Sequence, residues 1–188
     1  MKRQDLKLCM DVALEARLGL TAELARHPEW ADLRHLLALL DLQAGNLAAA
    51  EAGARMALET NPRYAAARAT LAHLHLRGGR PELAEEIFRS MEPDDPTGTR
   101  GQYGLALVSL GRGRFDEAVA LLEGCVSLTG PRVPWLHRIG VVKLAAGDTA
   151  GALAAWREAA ADELVGAAYR GAGLDGKKTP GEATLKRI

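Results

Sequence analysis

Four glycines, Gly45, Gly79, Gly113 and Gly147, recur at a constant step of 34 in a chain of 188 residues. No other feature limits the possible folds as much. The text around each glycine repeats with it. Five residues later comes an alanine, at Ala50, Ala84, Ala118 and Ala152. Eight residues earlier comes a branched aliphatic, Leu37, Leu71, Leu105 or Ile139, followed at once by Ala38, Ala72, Ala106 or Gly140. Nine residues later stand Ala54, Phe88, Leu122 and Trp156, and twelve later Ala57, Met91, Cys125 and Ala159.

Each column has a physical role if every unit is a pair of antiparallel helices. The glycine ends the first helix by taking the left-handed conformation without a Cβ penalty. The small residues let the two helix axes approach closely while the aliphatic residues fill the seam. Asn61-Pro62, Asp95-Pro96 and Gly130-Pro131 break the chain between units, and Pro93 ends its helix sooner. Pro81 and Pro134 fall near the first turn of a helix, where a missing N–H costs little. Ala16 and Leu20 lie one full step before Ala50 and Ala54, as Pro28 does before Pro62, so an incomplete unit precedes the first full one. Asp11 replaces its turn glycine. An Ala- and Leu-rich chain with 4% aromatic residues agrees with an all-helical protein.

This period and its small, aliphatic, glycine and alanine spacing resemble the tetratricopeptide repeat family, with GRFDEAVALLEGCVSL (113–128) the clearest match. The resemblance implies an all-α, right-handed superhelical solenoid of helix-turn-helix repeats with helical caps. Four repeats span 31–64, 65–98, 99–132 and 133–162. Residues 1–30 form an N-terminal capping helix or partial repeat, 163–174 a C-terminal capping helix, and 175–188 a flexible tail. The whole reads as one domain. The chain departs from the family four residues before the turn glycine, where a large residue is replaced by Asp41, His75, Ser109 and Lys143.

In the family, first helices line a concave face that holds segments of other proteins. Carried over column by column, that face comprises His35, Leu36, Leu39 and Leu42 in the first repeat and Thr70, His73, Leu76 and Arg77 in the second. It continues with Arg100, Tyr103, Leu107 and Leu110 in the third and with His137, Arg138, Val141 and Leu144 in the fourth. The leucines form an apolar strip suited to a peptide or amphipathic helix. Arg77, Arg100 and Arg138 are placed to grip an acidic group of the partner. The same strip is also open to being covered by the N-terminal helix or by a second copy of the chain.

Lys+Arg 24 against Asp+Glu 24 leaves no global field to recruit nucleic acid or an anionic membrane. Asp5, Asp11 and Glu15 interrupt any signal-peptide core, and no run suits a membrane span. Cys9 and Cys125 are far apart, as expected in a reducing, cytoplasmic setting. His27, His35, His73, His75 and His137 form no HxxxH or HExxH pattern, so neither metal nor cofactor is expected. Cys125 falls in a core column. Glu85, Glu86 and Glu123 are expected on a solvated convex face, and Trp30 is expected to fix the cap to the first repeat. The expected function is a non-catalytic scaffold, adaptor or secretion-type chaperone. The alternatives are self-assembly through the groove or caps and a metal-dependent hydrolase using the histidines.

Overall fold

The computed structural model describes residues 3–91, 95, 98–128 and 132–171, with side chains between residues 14 and 164 of these. Their secondary structure is entirely α-helical: α1 (Arg3–Arg26), α2 (Ala31–Gln43), α3 (Leu47–Thr60), α4 (Ala65–Arg77), α5 (Pro81–Arg89), α6 (Thr99–Gly111), α7 (Phe115–Leu128), α8 (Val133–Ala145) and α9 (Thr149–Gly171). The sequence reads as one domain, whereas the helices group into two compact units, Met1–Leu128 and Thr129–Ile188. Within the first unit each helix packs on the next in chain order, and the first helices α2, α4 and α6 also touch in succession. In the second unit α8 packs on α9.

The periodic glycines are the hairpin turns. Gly45, Gly79, Gly113 and Gly147 have φ of 81°, 70°, 71° and 84°. The N–H after each glycine reaches back to a carbonyl in the last turn: Asn46 to Asp41, Arg80 to His75 and Arg114 to Ser109 at 2.8 Å, and Asp148 to Lys143 at 2.9 Å. The glycine's own N–H bonds Leu42, Leu76, Leu110 or Leu144 at 3.0–3.1 Å. These paired bonds satisfy carbonyls that the helix end would otherwise orphan. Five residues on, Ala50, Ala84, Ala118 and Ala152 are wholly buried, as are Ala38 and Ala72 at the facing small column.

Three features depart from strict repetition. α5 has 9 residues where α3 and α7 have 14, and the chain re-enters α6 through Gly98 at φ 65°. α1 is one helix of 24 residues, and Ala16 is exposed because no helix among the described residues crosses it as α2 crosses Ala50. α9 runs without a break through Gly171, so the expected cap at 163–174 continues the fourth repeat's second helix as far as it is described. Residues 172–174 and the expected tail lie outside the described residues. Trp30 stacks on His27, with centroids 4.1 Å apart, and stays half exposed. What ties α1 to the first repeat is instead Arg17, whose guanidinium donates to both Asp41 carboxylate oxygens at 2.6 and 3.3 Å.

Candidate functional site

A helix buries one stripe and leaves another, and in α2, α4 and α6 the division follows the register. Residues seven and four before the turn glycine are buried: Ala38, Ala72 and Ala106, then Asp41, His75 and Ser109. Beside them, residues six and three before the glycine stay partly open in three successive repeats. These are Leu39, His73 and Leu107, then Leu42, Leu76 and Leu110. Leu36 adds an exposed apolar side chain on α2.

The polar members of the expected face are sorted differently by the structure. His35 and Thr70, expected to face a partner, are buried against each other, His35 Nε2 lying 2.9 Å from Thr70 Oγ1. The reason is the contact between α2 and α4, which covers His35, ten before one turn glycine, and Thr70, nine before the next. Tyr64 meets the His35 ring edge-on at 5.2 Å, and burial lowers the pKa of His35. His73 is only half-buried. Its Nδ1 lies 2.7 Å from the Ala69 carbonyl oxygen, which accepts only from an N–H, so in the neutral ring Nε2 is the bare acceptor. The ring stands edge-on to Phe88 at 5.3 Å and tilted to Tyr103 at 6.3 Å.

Of the three arginines expected to grip an acidic group, two have internal work. The buried Asp95 carboxylate accepts from the Arg100 backbone N–H at 2.7 Å and from Arg100 Nη1 at 3.1 Å. Arg138 donates to the Pro134 carbonyl at 2.9 Å and lies 5.2 Å above the Trp135 ring. Arg77, in the last turn of α4, is exposed and makes no ion pair among the described residues. His137, Arg138, Val141 and Leu144 belong to α8 in the second unit. His137 is exposed, its carbonyl accepts from Trp156 Nε1 at 3.2 Å, and Val141 is 56% exposed.

Ion pairs between repeats are what sequence reasoning missed. Glu51 on α3 accepts from Arg55 at 2.7 Å and from Arg80 of the next repeat at 2.8 Å. These two guanidinium groups hold its carboxyl at about 2. Glu85, the equivalent position one repeat on, accepts from Arg112 at 2.6 Å and from Arg89. Its side chain, expected on a solvated face, is only 13% exposed. The recurrence of Glu51 and Arg55 as Glu85 and Arg89 was the available signal. A cleft of about 400 Å³ also opens at the short end of α5, lined chiefly by Phe88, Gly101, Gln102, Leu105, Leu121 and Leu128.

No described helix is long and apolar enough to cross a membrane. Among the described residues no three His, Cys, Asp or Glu side chains are grouped to hold a metal ion. Cys125 is buried, its thiol 3.8 Å from the Thr99 carbonyl oxygen.

Two family models described as tetratricopeptide repeat match residues 54–108 and 99–123. No curated protein matches the sequence. Among solved structures, the chain is similar to a crystal structure of MamA, with TM-score 0.63 and 18% identity over 90% of this chain and 99% of that one. It is also similar to a tetratricopeptide repeat protein from Parabacteroides merdae, with TM-score 0.68 and 19% identity over 80% of this chain and 59% of that one. PilW, a widely conserved type IV pilus biogenesis factor, gives TM-score 0.67 and 18% identity over 85% of this chain and 79% of that one. Such identities speak to the fold alone. With the family models over residues 54–123 and the turn register together, this chain carries tetratricopeptide repeats, which serve as protein-interaction and scaffold modules.

Proposed function

We propose that this protein is a non-catalytic scaffold or adaptor that holds an apolar segment of another protein, an amphipathic helix or peptide, along α2, α4 and α6. One observation supports the reading above others: Leu39, His73 and Leu107, with Leu42, Leu76 and Leu110, stay partly open in three successive repeats while the columns seven and four before the glycine are buried. A row of partly covered side chains, apolar except for His73, lets a partner remove further apolar area from water at each repeat. His73 and Tyr103 supply adaptable polar contacts in the middle of the row, and Arg77 at its edge meets an acidic group of the partner. Leu36, exposed on α2, extends the row at one end. Arg100 serves the fold through Asp95, and His35 and Thr70 position α2 against α4 rather than touching the partner.

The test is capture from native lysate by the full chain and by a Leu39→Glu, Leu107→Glu double variant, read by mass spectrometry. Circular dichroism must first show that helix content is retained. A protein held by wild type and lost by the variant is the expected result. Identical capture by both removes the row as the binding surface.

A further inference from the structure

Among the described residues, one buried side-chain nitrogen or oxygen lacks a hydrogen-bond partner: Nδ1 of His75. The residue is 4% exposed, in the last turn of α4. Its backbone carbonyl receives the Arg80 N–H at 2.8 Å in the hairpin turn, so the ring sits where α4, the turn and α3 meet. The charged groups acting on it are Arg80 from the turn and Glu51 and Arg55 from α3; α2, α5 and α6 bring none among the described residues. Glu51 is the only carboxylate of the three, and both its oxygens are already engaged, by Arg55 at 2.7 Å and by Arg80 at 2.8 Å.

A neutral imidazole tolerates this place as the tautomer with a bare Nδ1. The imidazolium does not, because its Nδ1–H would be a buried donor with no acceptor. The one carboxylate acting on it is Glu51, and turning that carboxylate toward the ring would loosen its bridge to Arg80, which joins the first and second repeats. We propose that the joint between the first two repeats is proton-sensitive: His75 takes up a proton only as the turn at Gly79 parts from α3, so mild acid opens this joint first. Burial, the chief influence, lowers the ring's pKa from its ordinary 6.5, and the two arginines act in the same direction. The sign follows. A histidine whose folded pKa is lowered contributes stability that is complete above about 6.5 and is lost as pH falls through the range down to the folded pKa.

Hydrogen exchange of the full chain at pH 7.5 and 5.5, corrected for intrinsic rates, tests this in peptides of α3 and α4. For a group of ordinary pKa 6.5 in the open state, opening rises by at most about tenfold per histidine over this interval. His35, buried on α2 with a lowered pKa, adds its own response, so the readout is the difference between wild type and His75→Leu. The expected result is that His75→Leu removes up to about tenfold of the acid-induced opening in α3 and α4. Peptides of α8 and α9 should respond equally in both proteins. The same acid response in His75→Leu as in wild type overturns the proposal. Should that variant fail to fold, the ring signal of His75 in a nuclear magnetic resonance titration of wild type decides instead: titration near 6.5 or above overturns it, and resistance to protonation until well below 6.5 upholds it.

Discussion

Replacing Gly104 by alanine and Gly111 by alanine makes one chemical change twice in α6, and the two should move stability in opposite directions. In a helix interior, alanine is favoured over glycine by about 0.5–1 kcal/mol because glycine loses more backbone freedom on folding. Gly111, the last residue of α6, shows at most that gain and no opposing overlap, since nothing lies within 4 Å of an added Cβ. At Gly104 the added Cβ falls 2.1, 2.2 and 2.4 Å from Cδ1, Cε1 and Cγ of Phe88. Carbon atoms prefer about 3.5–4.0 Å, so the ring or the helix must move by more than about 1 Å. Phe88 is 1% exposed and packed with Ala72, Ala84, Met91 and Val108, with the cleft at the end of α5 as its open side. Overpacking of a tight core costs about 1–3 kcal/mol. Contact with three ring atoms, one of them next to the side chain's root, argues for the upper end. Subtracting the helix gain from that upper end leaves Gly104→Ala less stable than wild type by about 2 kcal/mol, and less stable than Gly111→Ala by about 2–3 kcal/mol. Urea unfolding of the full chains, followed by circular dichroism at 222 nm, measures both. Adding Phe88→Leu to Gly104→Ala should cost less than it does in wild type, because the smaller side chain relieves the overlap. Equal stability of the two alanine variants would refute the argument from overlap.

Two further perturbations separate the forces at the turns from those between repeats. Gly79→Ala leaves open space around its Cβ but holds an L-residue at φ 70°; a cost of about 1–2 kcal/mol is expected, seen as a drop of a few degrees in the thermal midpoint. Glu51→Gln should flatten the acid limb of stability below about pH 4.5. With its folded pKa lowered to about 2 by Arg80 and Arg55, Glu51 contributes stability that is whole above its ordinary pKa and lost as pH falls toward 2. Urea midpoints of both proteins at pH 2.5 and 5.5 check it, and parallel losses would show that Glu51 carries no such linkage. This window lies below that of His75, so the two groups are separable by pH.

What the sequence made legible was whatever the backbone itself repeats. The turn needs a residue that tolerates positive φ, and the glycine register found all four turns. The crossing of two helices needs small residues, and the alanine columns found the buried seam. The residues four before the glycine show the limit. Asp41, His75, Ser109 and Lys143 look like departures from the family pattern, yet each supplies the carbonyl that its turn requires, and any residue has a carbonyl. The side chains are then left to local partners. Asp41 is neutralised by Arg17, 24 positions away, while His75 is left with a bare nitrogen. Partners across repeats do not keep the period. Glu51 reaches Arg80 at a separation of 29 and Glu85 reaches Arg112 at 27, because a long guanidinium can approach the same carboxylate from either side of the turn. His35 meets Thr70 at 35, one step off the period, since first helices touch at neighbouring rather than equivalent positions. A reading built on equal spacing sees columns, and contacts between neighbouring repeats join different columns. The leucines six and three before the glycine were therefore legible as one stripe, whereas the burial of His35 and Thr70 and the engagement of Arg100 by Asp95 required the helices to be placed against one another.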